Sequence, residues 1–179
     1  MILLIGASAS GKTEIAKLLQ QKYGIKKVVT TTTRKMRVGE KQNVDYHFVG
    51  EEEFLRLEKE GAFVETAFYN GKHYGSSKKE ISKDKVLIVE PKGSAAFIAL
   101  HDPSIVSFYL YSSESSRENR MRLRGDSEGA IASRLENDRR DFNEENLPSF
   151  DYRFENENES LDELTDEIYK AYSKRISSL

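Results

Sequence analysis

The stretch Gly6-Ala7-Ser8-Ala9-Ser10-Gly11-Lys12-Thr13 fits G-x-x-x-x-G-K-[ST] and constrains this chain more than any other feature. It follows an unbroken apolar run, Met1 to Ile5, and precedes apolar positions at helical spacing, Ile15, Ala16, Leu18 and Leu19. Such a run without alternation is the pattern of a strand buried on both faces of a parallel sheet, and it is too short for a core helix. Gly24 is placed to close the helix that begins near Thr13. In a strand–loop–helix setting, the loop amides and the helix N-terminus surround a polyphosphate. Lys12 would reach the β and γ oxygens, and the Thr13 hydroxyl would ligate Mg²⁺. Residues 6–13 are therefore expected to bind a nucleoside triphosphate, whereas a chance octapeptide match would lack the flanking pattern. No N/T-K-x-D guanine-reading motif of a GTPase is present.

Between Val28 and Tyr74 the texture changes, with four consecutive threonines followed by charged turns. Strand-like pieces are expected at Asp45 to Val49 and Phe63 to Tyr69, with an amphipathic helix over Glu51 to Gly61 carrying Phe54, Leu55 and Leu57. This segment reads as an inserted lobe. Buried strands return at Val86 to Val89 and Ile105 to Tyr111, separated by a helical pattern at Ala95 to Leu100, which restores βαβ repetition. Ser113 to Glu145 is dense in charge on a helical framework, with Arg117, Arg120, Arg122, Arg124, Arg134, Arg139 and Arg140, and Gly125 divides it into two arms. A solvated helix pair explains most of those side chains. Tyr152 to Phe154 is expected as a last short strand, and Ser160-Leu161-Asp162-Glu163 as a capping box opening a helix to about Ile176.

The expected organisation is a single unit of 179 residues with no separating linker. Its core would comprise residues 1–29, 77–112 and 146–179, the inserted lobe 30–76, and a helical segment 113–145. The 28 Lys and Arg against 30 Asp and Glu argue against a nucleic-acid-coating surface. With no cysteine, a disulfide scaffold, a thiolate zinc site and a cysteine nucleophile are excluded together, and a reducing cytoplasm fits. No membrane span or signal-peptide core is expected, because the first apolar stretch is far too short. Oligomeric state is not legible.

The inserted segment carries candidate acceptor chemistry. Arg34 and Arg37 stand three residues apart, and two such guanidinium forks can grip one phosphate. The hydroxyls of Tyr46 and Tyr74 add neutral donors, and a carboxylate such as Glu65 can accept two hydrogen bonds from the N1 and N2 edge of guanine. Adenine lacks that donor pair. Each residue alone has an ordinary explanation as a surface arginine, a core tyrosine or a solvated glutamate.

Taken in order, these residues resemble the guanylate kinase family over nearly the whole chain. The family's T-T-R-x-x-R-x-G-E followed by D-Y-x-F stands as Thr32 to Glu40 and Asp45 to Phe48. Its E-x-x-x-x-x-G-x-x-Y-G-[ST] stands as Glu65, Gly71, Tyr74, Gly75 and Ser76. Its R-G-x-[DE] lid with a following R-L stands as Arg124, Gly125, Asp126, Glu128, Arg134 and Leu135, and its late D-Y-x-x-x-N as Asp151, Tyr152 and Asn156. The resemblance implies an α/β fold: a P-loop three-layer core with a central parallel sheet, an inserted GMP-binding lobe and a helical lid. It implies transfer of the γ-phosphoryl of ATP to GMP, with Mg²⁺ accompanying ATP at Thr13. Arg34, Arg37, Tyr46 and Tyr74 would hold the GMP phosphate. Thr30, Glu65, Ser76 and Glu90 would surround the guanine, and Asn156 would lie near the adenine of ATP. Lys12, Arg37, Arg120, Arg124 and Arg134 would neutralise the transferring charge. No general base is needed, because the attacking oxygen is already ionised, so His47, His73 and His101 can be structural.

Four departures from the family pattern stand out. Ala7 and Ala9 replace residues of G-P-S-G-x-G-K, which removes a flexible glycine. Asn43 replaces a glycine, but tolerates the same positive φ. Ile88 replaces the first acid of [DE]-x-[DE]-x-x-G, which bears on Mg²⁺ positioning and turnover, and Lys92 replaces a usual glutamine. Two other readings compete: a relative acting on another phosphorylated acceptor, such as a ribose bisphosphate, and a non-catalytic module that binds protein partners. The tyrosines and Glu65 count against the first, and the loop lysine and lid arginines against the second.

Overall fold

The computed structural model describes residues 1–157 and 160–179. In chain order its elements are β1 (Ile2–Ile5), α1 (Lys12–Tyr23), β2 (Lys26–Lys27), β3 (Thr31–Thr32), β4 (His47–Phe48), α2 (Glu51–Lys59), β5 (Phe63–Tyr69) and β6 (Lys72–Ser77). There follow a 3₁₀ turn (Lys78–Glu80), β7 (Lys85–Val89), α3 (Pro91–Ile98), β8 (Val106–Tyr111), α4 (Glu114–Leu123), α5 (Glu128–Asp141), β9 (Tyr152–Glu155) and α6 (Leu161–Ser177).

β1 is the middle of a five-stranded parallel sheet of order β2-β7-β1-β8-β9. Its four residues are wholly buried, because alternate side chains enter different layers. Ile2 and Leu4 pack with Ile15 and Leu19 of α1 and Leu164 and Ile168 of α6. Leu3 and Ile5 pack with Leu87 and Val89 of β7 and Phe97 of α3. The result is helix, sheet, helix, as an uninterrupted apolar strand requires. After β1 the chain adds strands on one side, then on the other, so a crevice opens beyond the carboxyl end of β1. Gly6 stands at that end, where a Cβ would lie 2.6 Å from the Leu110 carbonyl oxygen. Only glycine passes there.

A second, mixed sheet has the order β4-β3-β6-β5. Its long hairpin turns at Asn70 (φ +48°) and Gly71 (φ +71°), the left-handed pair that matches the twist of antiparallel strands. Phe54 of α2 is fully buried and stacks on Phe63 of β5 with centroids 4.7 Å apart.

Several expected boundaries shift. The strand at Asp45 to Val49 contracts to His47–Phe48, because a turn takes up the preceding residues: Asp45 accepts from the Lys41 amide at 2.7 Å, and Asn43 adopts φ +62°. The helix expected at Ala95 begins at Pro91, whose locked φ suits a first helical position, and Glu90 flanks it. β2 and β6 are additional strands, too polar to stand out by hydrophobicity. Ser160 does flank α6, but its side chain makes no capping bond. No helix among the described residues is long and apolar enough to cross a membrane.

Candidate active site

A cleft of about 610 Å³ opens at the end of β1, lined by Ala9, Ser10, Gly11, Lys12, Thr13 and Arg124 among others. Gly6, Ala7 and Ser8, also expected at the triphosphate, are not among its lining residues. Gly11 flanks α1 at φ +99°, and a Cβ there would meet Asn156 Nδ2 at 2.6 Å. Asn156 is buried, lines the same cleft and donates from Nδ2 to the Ser10 carbonyl at 3.0 Å. Its side chain is thus set against the phosphate loop. Ala9 adopts φ +59°, a left-handed conformation that costs a non-glycine residue about 1 kcal/mol or more.

Lys12 folds over the loop, donating from Nζ to the Ala7 carbonyl at 2.7 Å and to Ser10 Oγ at 3.3 Å. Burial pushes its pKa down to about 8; the Asp138 carboxylate opposes that shift, Arg117 reinforces it, and Glu90 opposes it more weakly. A polyphosphate in the cleft would restore the charged ammonium. Nucleotide binding at pH 8 is therefore expected to take up about half a proton, with uptake growing above pH 8 and vanishing well below it. Titration calorimetry in buffers of differing ionisation enthalpy reads this directly, and release instead of uptake would contradict it.

The arginines expected to act together have different surroundings. Arg120 is committed inward, donating to Ala9 O (3.2 Å), Ser112 Oγ (2.9 Å), Asn156 O (2.6 Å) and Glu157 O (3.1 Å), while still lining the cleft. Arg124 lines it too, with its fork on Asp126 at 2.9 and 2.5 Å and nearly half of its side chain exposed. Arg134 stands on the exposed face of α5, 3.9 Å from Asp126, and is not among the lining residues. Arg117 and Asp138, not expected at the site from the sequence, form a buried ion pair 2.6 Å apart that reaches Ser8 of the loop. In the sequence both look like members of a charged helical face, and only the fold turns them inward.

A second cleft of about 680 Å³ runs between the two sheets, lined by Thr30, Glu65, Ser76, Ile88, Glu90 and Lys92 among others. The residues expected around a base therefore meet in one place. Glu65 and Ser76 are cross-strand partners, and Ser76 Oγ donates to Glu65 Oε1 at 2.6 Å. Beside Gly93, a Cβ would come 3.9 Å from Glu65 Oε2, so α3 begins close to that carboxylate. Glu90 lines this cleft and acts electrostatically on Lys12 of the first, which ties the two together.

The four residues expected at an acceptor phosphate are only partly gathered. The Arg34 guanidinium lies 5.2 Å from the Tyr46 ring centroid, and the Tyr46 and Tyr74 rings are 6.3 Å apart. The Arg34 fork is taken by Glu40 at 2.7 and 3.0 Å, and that bond holds the Glu40 carboxyl below the usual carboxylate range. Arg37 is exposed, and its guanidinium has no hydrogen bond or ion pair among the described residues. One fork is thus held in place and the other is free to move onto an anion. Asn43 takes the positive φ expected of it.

The family model described as guanylate kinase matches residues 1–175. A guanylate kinase of Syntrophus aciditrophicus is 33% identical, covering 99% of this chain and 89% of that protein. A guanylate kinase of Helicobacter pylori is 33% identical, covering 99% and 90%. The crystal structure of guanylate kinase from Anaplasma phagocytophilum superposes with a TM-score of 0.59 and 28% identity, covering 97% of this chain and 85% of that one.

Proposed function

The chain belongs to the guanylate kinase family, and from that premise we propose how its residues divide the transfer of the γ-phosphoryl of ATP to GMP, giving ADP and GDP. The observation that carries the assignment is the pair of clefts at one end of the sheet. One is lined by the phosphate loop and Arg124, the other by Thr30, Glu65, Ser76 and Glu90. ATP occupies the first and GMP the second, with residues 113–145 closing as a lid and 30–76 as the acceptor lobe.

The reaction asks for placement and charge neutralisation, not for a base. Lys12 leaves the Ala7 carbonyl to bridge the phosphates. Arg37, whose guanidinium has no hydrogen bond or ion pair among the described residues, swings onto the GMP phosphate beside Arg34, Tyr46 and Tyr74. Arg124 exchanges Asp126 for the transferring phosphoryl as the lid closes and expels water. Arg120 holds the Ala9 carbonyl in position, and Arg134 acts through Asp126, for which it competes with Arg124. Thr13 lines the cleft, and its hydroxyl makes no hydrogen bond among the described residues, so a hard oxygen donor is available where Mg²⁺ would arrive with ATP. When bound, the ion would neutralise charge on the β and γ oxygens. The described residues contain no cluster of three or more His, Cys, Asp or Glu side chains suited to a metal. A shared site, with the substrate phosphates supplying most ligands, fits that donor set. Ile88 presents an alkyl chain to the acceptor cleft, leaving Glu65 and Glu90 as its carboxylates. A cytoplasmic setting fits these substrates.

The test is a coupled assay with ATP and a panel of acceptors: GMP, AMP, CMP, UMP and a ribose bisphosphate. GMP is expected to be turned over with strong preference. Turnover of another acceptor alone, or binding without turnover, would overturn the reading. Glu65→Gln should raise the KM for GMP by roughly tenfold and leave that for ATP near its starting value, since one amide oxygen replaces two acceptors. Equal loss for both nucleotides would remove Glu65 from the guanine site.

A further inference from the structure

We propose that Arg117 and Asp138 are positioning residues for ATP: they clamp the Ser8–Ala9 stretch of the phosphate loop in its receiving shape, a task that falls to the lid because Ala9 does not favour its own backbone conformation. The proposal rests on the reading of this loop as the ATP site.

Every polar atom of Ser8 is engaged by this pair. The Ser8 amide donates to both Asp138 oxygens at 3.2 and 3.1 Å, and Ser8 Oγ donates to Asp138 Oδ1 at 3.1 Å. Arg117 Nη1 donates to Asp138 Oδ2 at 2.6 Å and, at the long distance of 3.4 Å, to the Ser8 carbonyl. Arg117 Nε donates to the Ser112 carbonyl at 3.2 Å, which anchors the pair to the end of β8. Arg120, nearly one turn further along α4, donates to the next carbonyl, that of Ala9. Ala9 itself packs against Met121, Ile131 and Leu135 of the lid. Both lid arms, α4 and α5, therefore grip consecutive residues of one loop.

The chemistry indicates why an ion pair stands here. Arg117 and Asp138 are each about 7% exposed. A buried pair of this kind contributes little net stability, and apolar side chains of similar volume often serve as well or better. Its distinguishing property is therefore what it does to Ser8. A lone carboxylate beside a triphosphate site would repel the ligand, whereas the paired one accepts from the Ser8 amide and hydroxyl while adding no net charge. Ala9 supplies the need. At φ +59° an alanine resists the conformation that glycine adopts freely, so a loop without the clamp would spend part of its time in shapes that do not receive phosphate.

The test replaces the pair by apolar groups, Arg117→Met with Asp138→Ala, in the full-length enzyme. ATP affinity is read by calorimetry without GMP, and the KM for each nucleotide by the coupled assay. The expected result is a Tm within a few degrees of wild type and ATP binding weaker by roughly tenfold, with the KM for GMP unchanged. Adding Ala9→Gly to that variant should restore most of the ATP affinity, which a merely structural role of the pair would not predict. The proposal is overturned by unchanged ATP affinity, by equal weakening of ATP and GMP, or by a deficit that Ala9→Gly leaves undiminished. Should the double variant fail to fold, Asp138→Asn is read in its place, with a smaller ATP-specific loss expected and no loss overturning the proposal. A wild-type protein that binds ATP but leaves GMP unphosphorylated would refute the acceptor assignment and leave the clamp intact. ATP affinity indifferent to the pair, in an enzyme that phosphorylates GMP, would do the reverse.

Discussion

Lys12→Met should lower kcat by roughly a hundredfold to a thousandfold, as the loss of one charge-stabilising donor to a transferring phosphoryl does. Stability should move the other way. Burial holds the lysine pKa down to about 8, so at neutral pH the folded protein carries a cation it has partly desolvated. Methionine fills a similar volume without that cost, and Tm at pH 7 should be equal or higher. The pH dependence follows from the same shift. Between about pH 8 and the ordinary lysine range, the unfolded chain keeps a proton that the folded chain has released, so wild-type stability gains with rising pH there. The methionine variant should lose that gain. Turnover measurements beside denaturant titrations at pH 7, 8 and 9.5 decide both points: retained turnover would remove Lys12 from the phosphates, and an unchanged pH slope would refute the lowered lysine pKa.

Arg37→Ala and Arg124→Ala should each cut turnover by roughly tenfold to a thousandfold with little effect on folding. Neither arginine contributes much to the free protein. The Arg37 side chain is exposed and its guanidinium has no partner among the described residues, while Arg124 pairs with Asp126 at the surface, where solvent screening leaves such a pair little stabilising effect. Their guanidinium groups are therefore cheap to redirect onto a substrate. Arg34 differs, because its fork is already committed to Glu40, and Arg34→Ala should disturb the loop from Arg34 to Glu40 as well as binding. Arg37→Ala is expected to raise the KM for GMP, and Arg124→Ala to lower kcat with either substrate saturating. Wild-type turnover in both variants would refute these roles.

The parts of the fold legible in the sequence are those where one short stretch holds the whole signal. The run at Ile2–Ile5, the loop at residues 6–13 and the helix after it are local, and so is Gly125 between α4 and α5. β6 escaped because its residues, Lys72–Ser77, are mostly polar; the Asn70-Gly71 pair was the available sign, since it marks a tight hairpin after Phe63–Tyr69. Asp45 was absorbed into a turn by its bond to the Lys41 amide, a contact that no hydrophobic pattern encodes.

Residue order alone shows a phosphate loop after an apolar strand, and two groups of cations far apart in the chain. Both follow from chemistry carried within a few consecutive residues. Which of those cations face a cleft emerged only on folding. Arg117 and Arg124 look alike in a charged helical run, yet one is buried against Asp138 and Ser8 and the other faces the cleft. A charge's role depends on its desolvation and its partner. Partners such as Asp138 and Ser8, 130 positions apart, meet only when the chain has closed.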